Sequence, residues 1–197
     1  MIIVGTALLI AALALFMNNE QESSQAGKAS SEAMPQVVSE IYDRHQDALE
    51  QTPAKESDGS SSVLENKKMS VVLVEGYGYI GFVGIPSLGL ELPVMDKWDM
   101  ERLKLSPCRY WGDMYTGDLV VMAHNYNSHF GKLSQLKAGD SVTFTDMDGF
   151  TANYEVVAVE ILDAMASREM TSGEFDLTLF TCTFGGENRV TVRCDRT

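Results

Sequence analysis

Basic residues are scarce in this sequence. Fifteen Lys and Arg side chains stand against 28 Asp and Glu, so the 197 residues carry a formal net charge of −13 and the isoelectric point is near 4.5. A chain this acidic repels phosphate backbones and anionic lipid headgroups. We therefore exclude a nucleic-acid-binding function and expect no nucleic acid among the partners.

Cysteine is also scarce, and its spacing suits no metal site. Cys108, Cys182 and Cys194 form neither a CxxC pair nor a Cys/His cluster of zinc spacing, so we expect no metal site and no cofactor. If the protein is exported and Cys182 is a free thiol, Cys108 and Cys194 form a candidate disulfide. Buried, unpaired cysteines are the alternative, and it is the one we favour.

No basic residue precedes Lys28, and residues 1–17 form an uncharged apolar run. This run is just long enough to span a bilayer as a helix. A cleavable signal peptide is the alternative, but it lacks a basic n-region and a clear small-x-small cleavage site. We predict an uncleaved transmembrane signal anchor over 1–17, whose orientation the positive-inside rule does not fix.

The amino-acid composition changes twice after the apolar run. Residues 18–68 are too polar to form a core and predict a stalk, with a short amphipathic helix over 37–49. Residues 69–197 contain short β-branched and aromatic runs between Gly, Pro and Asp, which predict one globular domain. Its predicted strands are 71–74, 79–85, 118–122, 141–145, 151–159, 176–181 and 189–193, with helical turns near 100–105 and 133–136. Closely spaced strands favour an antiparallel sandwich or a closed barrel.

The most informative motif lies near the end of the chain. The run TLFTC over 178–182 ends one predicted strand, and RVTVR over 189–193 begins the next. Gly185 and Gly186 predict the turn between them. This arrangement brings a thiol and a guanidinium to facing ends of adjacent strands. Taken alone, a cysteine at a strand end is more often a small buried residue than a nucleophile.

The sequence pattern alone does not decide whether the other candidate residues are functional or structural. His124 follows a hydrophobic strand and is either a core histidine or a functional one. Arg189 and Arg193 share one strand face, so spacing does not choose between them. We interpret His129 as a loop residue near the site and His45 as a solvent-facing residue of the stalk helix.

The motifs together resemble those of the sortases, the cysteine transpeptidases that anchor proteins to Gram-positive cell walls. TLFTC followed by Arg189 resembles their TLxTC…R signature, and LVVMAHN over 119–125 resembles their histidine block. Residues 79–94, with an Ile-Pro turn and a Leu-Pro-Val segment, are similar to the opening of their fold. These motifs cover about 120 residues and follow the order in which sortases carry them. Among the sortase classes, the resemblance is to class B or D, and the subclass stays open. Ala123 departs from it, because a glycine commonly precedes the histidine.

The resemblance implies an all-β fold, a closed antiparallel sortase-type β-barrel of about eight strands with short helices, after the N-terminal membrane helix. It implies a single-pass protein of the cell membrane with its catalytic domain on the extracellular side. It selects Cys182 as nucleophile, His124 as general acid and then base, and Arg189 as oxyanion stabiliser, with Arg193 as the fallback. Thr181, Ala123 and Asn125 are the implied substrate-binding residues.

The implied activity is cleavage of an LPxTG-like C-terminal sorting signal through a thioacyl enzyme. The partners would be surface proteins with that signal and an amine of a peptidoglycan precursor or a pilin. A cysteine peptidase that only hydrolyses and a non-catalytic surface β-barrel are the alternatives. No Asp-Pro-aromatic lid motif lies between 18 and 69, which favours protein attachment over pilus polymerisation. Calcium dependence is left open, and we interpret the acidic segment 146–149 as a turn.

Overall fold

The computed structural model describes residues 2–51 and 67–197. Strands are the main secondary structure of the second range, and the longest element is a helix at the start of the chain. The strands are β1 (Val72–Val74), β2 (Tyr77–Ile85), β3 (Leu90–Met95), β4 (Cys108–Trp111), β5 (Leu119–Met122), β6 (Ser141–Asp146), β7 (Thr151–Asp163), β8 (Leu177–Cys182) and β9 (Asn188–Arg196). The helices are α1 (Ile2–Gln51), α2 (Met100–Leu103) and α3 (Ser167–Met170), with 3₁₀ turns at Pro86–Leu88 and Leu133–Gln135.

The sheet closes on itself as a barrel. Its strand order is β1-β2-β3-β4-β5-β8-β9-β7-β6, and β2 also pairs with β6. This pairing closes the eight strands from β2 through β9 into a ring, with β1 outside it. The prediction of a closed barrel of about eight strands is therefore confirmed. The prediction that it is purely antiparallel is wrong, because β3 pairs with β4, and β5 with β8, in parallel. In both cases the intervening chain is long enough to return and run in the same direction.

Each of the seven predicted strands is present, and both predicted helical turns are found at α2 and at Leu133–Gln135. Sequence analysis missed β3 and β4. Pro93 lies inside β3, and proline usually indicates an edge strand or no strand. The segment CRYW of β4 is only four residues long and has no regular alternation of apolar and polar residues.

Alternation along the strands separates the barrel interior from the outer face. Leu177 and Leu179 of β8 are fully buried in the main core, as is Val121 of β5. Because successive side chains of a strand point to opposite faces, Phe180 lies outside the barrel. There it packs in a second cluster with Val120 and Met170.

Helix α1 runs through the predicted apolar segment and on into the predicted stalk, and it includes the predicted short helix at 37–49. One stripe of α1, with Ala33, Val37 and Ile41, is buried against the outside of the barrel, where it contacts a cluster that includes Tyr79 and Met95. Residues 52–66 of the predicted stalk lie outside the described residues. The domain boundaries at 17 and 68 stay predictions.

The described part of the chain contains no helix that is long and apolar enough to cross a membrane. The transmembrane anchor predicted over 1–17 is therefore not supported. The run of 17 apolar residues lies at the short end of the roughly 17–25 residues of a membrane-spanning helix.

Candidate active site

Parallel pairing of β5 and β8 brings His124 and Cys182 to the same level of the barrel wall. Met122 is the register partner of Phe180, and His124 and Cys182 each lie two residues further along. Parallel strands run side by side about 4.8 Å apart, so the two residues emerge from the same end of the sheet. They share the outer face with Phe180, because they follow the same alternation.

Arg189 joins this pair from the third strand. In the β8–β9 hairpin it is the direct register partner of Cys182. Directly opposed residues of antiparallel strands project from the same face, with Cβ atoms about 5 Å apart. Gly185 and Gly186 form the connecting turn with φ of 90° and 80°, a conformation that favours glycine. Three adjacent strands thus present an imidazole, a thiol and a guanidinium side by side.

The three side chains open into a groove of about 370 Å³. Its lining is mainly apolar and includes Trp98, Met100 and residues of α3 and of the loop before it. The Tyr110 ring also lines the groove and lies 5.9 Å from the ring of Trp98 and 5.2 Å from that of Phe180. Such a groove suits an extended peptide with apolar side chains better than a highly charged ligand.

The His124 imidazole is half-buried. Burial lowers the pKa of His124 below its usual 6.5, and the nearby carboxylate of Glu22 opposes this effect while Lys104 adds to it. The neutral form is therefore favoured near pH 7, and the group is able to accept a proton as well as donate one.

The guanidinium of Arg189 is held by its own hairpin. Its Nη1 donates to the carbonyl oxygens of Gly186, at 2.9 Å, and Asn188, at 3.0 Å. These two bonds engage one of its three nitrogens. The other two guanidinium nitrogens keep their N–H donors, and the hairpin turn holds the group beside Cys182, where a developing oxyanion would form.

The residues predicted to contact substrate occupy different environments. The Thr181 hydroxyl is buried and donates to the Ala123 carbonyl oxygen at 2.8 Å, so it has no second proton for an oxyanion. A role for the Thr181 backbone N–H stays a prediction. Ala123 is buried and lines the groove, whereas Asn125 is exposed and is not among the residues that line it.

Arg193, the fallback for Arg189, is buried and hydrogen-bonded to neighbouring elements of the fold. It is 3% exposed. Its Nε donates to Glu160 at 2.8 Å, its Nη1 to the Thr178 hydroxyl at 3.0 Å and its Nη2 to the Glu169 carbonyl oxygen at 2.9 Å. These bonds tie β9 to β7, β8 and α3. Arg193 does not line the groove, which leaves Arg189 as the arginine beside Cys182.

The remaining histidines lie apart from the reacting groups. His129 is fully buried on the loop after β5, and its Nε2 lies 3.1 Å from the Ser30 hydroxyl. The Ser30 hydroxyl donates its one proton to the Leu105 carbonyl oxygen at 2.8 Å, so it accepts from a protonated Nε2. His45 is exposed on α1, as predicted.

The disulfide hypothesis for Cys108 and Cys194 is wrong. All three cysteines are free, and these two are fully buried. In the sheet, the register partners of Cys108 are Met122 and Met95, whereas those of Cys194 are Leu177 and Val156 on a different part of the ring. Burial raises the pKa of each thiol to about 12, so both are inert as nucleophiles.

The acidic segment 146–149 forms the turn between β6 and β7. Asp146 accepts from the backbone N–H groups of Asp148 and Phe150, and Asp148 accepts from Arg44 and Ser70. Protein donors thus occupy both carboxylates. Within residues 2–51 and 67–197, no group of three or more His, Cys, Asp or Glu side chains is placed to hold a metal ion.

Sequence analysis missed two residues next to His124. The ring of Tyr126 lies 4.8 Å from the imidazole of His124, and its hydroxyl donates to Glu22 Oε2 at 3.2 Å. Tyr126 stands two residues from a candidate catalytic histidine, which is a local signal. Glu22 has no such signal, because it is 102 positions away along the chain.

A protein-family model described as the sortase domain matches residues 83–197. Among solved structures, sortase C of Streptococcus pneumoniae is 20% identical, with 86% of this chain and 96% of that chain covered at a TM-score of 0.58. The sortase D5 transpeptidase of Clostridium perfringens is 14% identical, with 86% and 99% covered and a TM-score of 0.60.

Sortase C of Clostridium perfringens, solved with the C-terminal cell wall sorting motif, is 21% identical, with 84% and 90% covered at a TM-score of 0.53. At these identities the likeness shows the fold. The matched structures come from more than one class, so they assign no subclass. No curated protein sequence matches the chain.

Proposed function

Because this chain belongs to the sortase family of cysteine transpeptidases, we propose that it cleaves an LPxTG-like C-terminal sorting signal and transfers the protein to an amine. One observation carries the proposal. His124 just after β5, Cys182 at the end of β8 and Arg189 of β9 lie at one level of the barrel wall and line one groove. Acyl transfer through a thioester requires a thiol, a proton carrier and an oxyanion stabiliser.

In the first half of the reaction, the Cys182 thiol transfers its proton to neutral His124, and Sγ attacks the carbonyl carbon of the scissile peptide bond as a thiolate. The carbonyl oxygen becomes an oxyanion, which the Arg189 guanidinium stabilises through charge-assisted hydrogen bonds. His124 donates a proton to the leaving nitrogen, the C–N bond breaks, and a thioacyl enzyme forms.

The second half reverses these roles. An acceptor amine attacks the thioester carbon, and neutral His124 takes the proton that this nitrogen loses. The C–S bond then breaks and a new amide bond forms, with Cys182 restored as a thiolate. Hydrolysis follows the same steps with water in place of the amine, so the fate of the thioacyl group decides between transpeptidase and peptidase.

The groove supports a substrate of the sorting-signal kind. Trp98, Tyr110 and Phe180 provide an aromatic wall beside Cys182, which offers burial to the apolar side chains of such a peptide. The proposed donors are surface proteins that carry the signal. The proposed acceptor is an amine of a peptidoglycan precursor or a pilin, and the proposed location of the barrel is the extracellular side of the cell membrane, where donor and acceptor meet.

Intact-mass spectrometry of the full chain tests the proposal. The protein is incubated with a library of LPxTG-like peptides, with and without triglycine as the amine acceptor, beside Cys182→Ala. We expect a thioacyl adduct on the wild type, its absence in the variant and conversion to a ligated peptide when the amine is added. An adduct that is only hydrolysed would establish a peptidase instead. No adduct with any peptide would count against the proposal.

A further inference from the structure

Helix α1 packs directly on the loop that carries His124. This loop, residues 123–131, is folded tightly by backbone bonds, including those from Phe130 N to the His124 carbonyl oxygen at 3.2 Å and from His129 N to the Tyr126 carbonyl oxygen at 3.0 Å. A loop held in this way moves as a unit. Whatever fixes its outer side therefore also fixes the imidazole.

The first contact runs through Tyr126. Its ring lies against His124, with centroids 4.8 Å apart and planes tilted by 38°, and its hydroxyl donates to Glu22 Oε2 at 3.2 Å. The tyrosine is 6% exposed. A carboxylate on α1 thus holds the ring that packs against the imidazole.

The second contact is a close approach of the Ser128 side chain to the backbone of α1. The Ser128 hydroxyl donates to the Ser23 carbonyl oxygen of α1 at 2.7 Å. At Gly27, one turn further along the helix, an added Cβ would lie 2.8 Å from the Ser128 Cβ, closer than real side chains come. Helix and loop therefore pack as tightly as glycine permits.

The third contact is the buried bond between His129 and Ser30. The Ser30 hydroxyl also donates to the Leu105 carbonyl oxygen, so this residue of α1 joins two segments of the barrel. The three contacts recur at positions 22–23, 27 and 30, which is the spacing of one helix face. A single face of α1 thus follows the loop along its length.

We propose that Glu22 and Tyr126 are positioning residues for His124, and that residues 22–30 of α1 belong to the catalytic unit. The inference rests on the proposed role of His124 in proton transfer. A tyrosine held by hydrogen bond on one side restricts the imidazole to a narrow range of orientations. Proton transfer is sensitive to such restriction, because donor and acceptor must come within about 3 Å.

Charged and titratable groups face His124 from each neighbouring element. Glu22 lies on α1 and Lys104 just after α2, and both act on its charge. Tyr126 and His129 lie on its own loop. The groove adds three more, namely Cys182 of β8, Arg189 of β9 and Asp163 of β7. Among these groups Glu22 is the one whose negative charge raises the pKa of His124 against burial.

The test compares full-length Glu22→Gln, Tyr126→Phe and the double variant with the wild type. Glu32→Gln is the matched control, because Glu32 is an exposed carboxylate of α1 that pairs with Lys28 on the helix surface. The readouts are an NMR titration of the His124 ring and kcat/KM for peptide transfer. The chain has three histidines, so His124→Gln identifies the signal.

We expect Glu22→Gln to lower the titration midpoint of His124, since a facing negative charge that raises the pKa of His124 is lost. Tyr126→Phe keeps this charge and should shift the midpoint less. Both single variants should reduce kcat/KM roughly three- to tenfold, and the double variant should be no worse than the poorer single one, because both break the same bond. Glu32→Gln should match the wild type in both readouts.

Wild-type titration and kcat/KM in both Glu22→Gln and Tyr126→Phe would overturn the inference. The titration requires no substrate, so it separates the inference from the proposed function. A wild type that transfers no peptide, while Glu22→Gln still shifts the His124 titration, would reject the proposed function and support the positioning by α1. If the wild type transfers peptide and the His124 titration is the same in Glu22→Gln and Tyr126→Phe as in the wild type, the proposed function would be supported and the positioning by α1 rejected.

Discussion

Thr181 donates its hydroxyl proton to the carbonyl oxygen of Ala123 at 2.8 Å, and this bond ties together the strands that precede the nucleophile and the histidine. Each residue immediately precedes a reacting group, Cys182 in one case and His124 in the other. Because β5 and β8 are far apart in sequence, only lateral bonds of this kind keep them in register at their ends. The backbone bond from Ala123 N to the Phe180 carbonyl oxygen, at 3.2 Å, is another such bond.

Thr181→Val should weaken both the fold and the reaction. Valine keeps the branched shape that suits a strand but leaves the buried Ala123 carbonyl oxygen without its side-chain donor. We expect a loss of roughly 1–2 kcal/mol in the free energy of unfolding, measured in urea, and a severalfold decrease in kcat/KM.

Thr191→Val is the matched control for that experiment. Thr191 is a fully buried threonine of β9, and its hydroxyl has no hydrogen-bond partner among the described residues. Removing an unpaired buried hydroxyl should leave the stability unchanged or increase it. If both valine variants lose the same stability, the bond to Ala123 is not the cause.

The two arginines of β9 should separate stability from activity. Arg189→Met removes the guanidinium beside Cys182, and we expect transfer activity to fall by a factor of 100 or more with little change in stability. Arg193→Met breaks the bonds to Glu160, Thr178 and Glu169, so we expect a loss of roughly 2–4 kcal/mol in unfolding free energy.

Activity per folded molecule completes this comparison. It should be nearly normal in Arg193→Met at temperatures where the variant stays folded. The assignment of the two arginines would be reversed if Arg193→Met were stable and inactive while Arg189→Met were unstable and active.

Local patterns predicted much of this barrel. Short β-branched runs gave the strands, and the paired glycines at 185–186 gave the hairpin that aligns Arg189 with Cys182. The hairpin is a local structure with a turn signal, so its register follows from nearby residues. Many short strands with few helices between them favoured a sandwich or a closed barrel, and the resemblance to the sortases selected the barrel.

Long-range pairing was not predictable in the same way. The parallel neighbours β5 and β8 are separated by β6 and β7, and no local pattern indicates that Met122 pairs with Phe180. The role of α1 was missed for a related reason. Its buried stripe is formed largely by small residues such as Ala26 and Ser30, and hydrophobic periodicity does not distinguish these from a solvated helix face.

Thiol accessibility gives a simple test of the cysteine environments. Cys182 is half-buried at the groove, whereas Cys108 and Cys194 are fully buried, and burial raises the pKa of both thiols to about 12. We expect Ellman's reagent to modify one thiol in the native protein and three after denaturation without reductant. Cys182→Ala should abolish the native reaction. A single thiol after denaturation would indicate the disulfide that the structure lacks.

Acid should destabilise the fold through His129. Burial lowers the pKa of His129 from its usual 6.5 to about 4. Between these values the unfolded chain binds a proton that the folded chain does not, so stability is fully present above pH 6.5 and is lost as the pH falls toward 4. The two pKa values correspond to a contribution of roughly 3 kcal/mol.

His129→Gln isolates this contribution, because glutamine keeps a donor for Ser30 but does not titrate. We expect the unfolding free energy of the wild type to fall by roughly 3 kcal/mol more than that of the variant between pH 7 and pH 4, as measured in urea. His45→Gln, at an exposed position on α1, is the control and should follow the wild-type curve. Parallel curves for the wild type and His129→Gln would mean that the buried imidazole gains its proton without cost, and the contact between α1 and the histidine loop would then have to open in acid before the barrel unfolds.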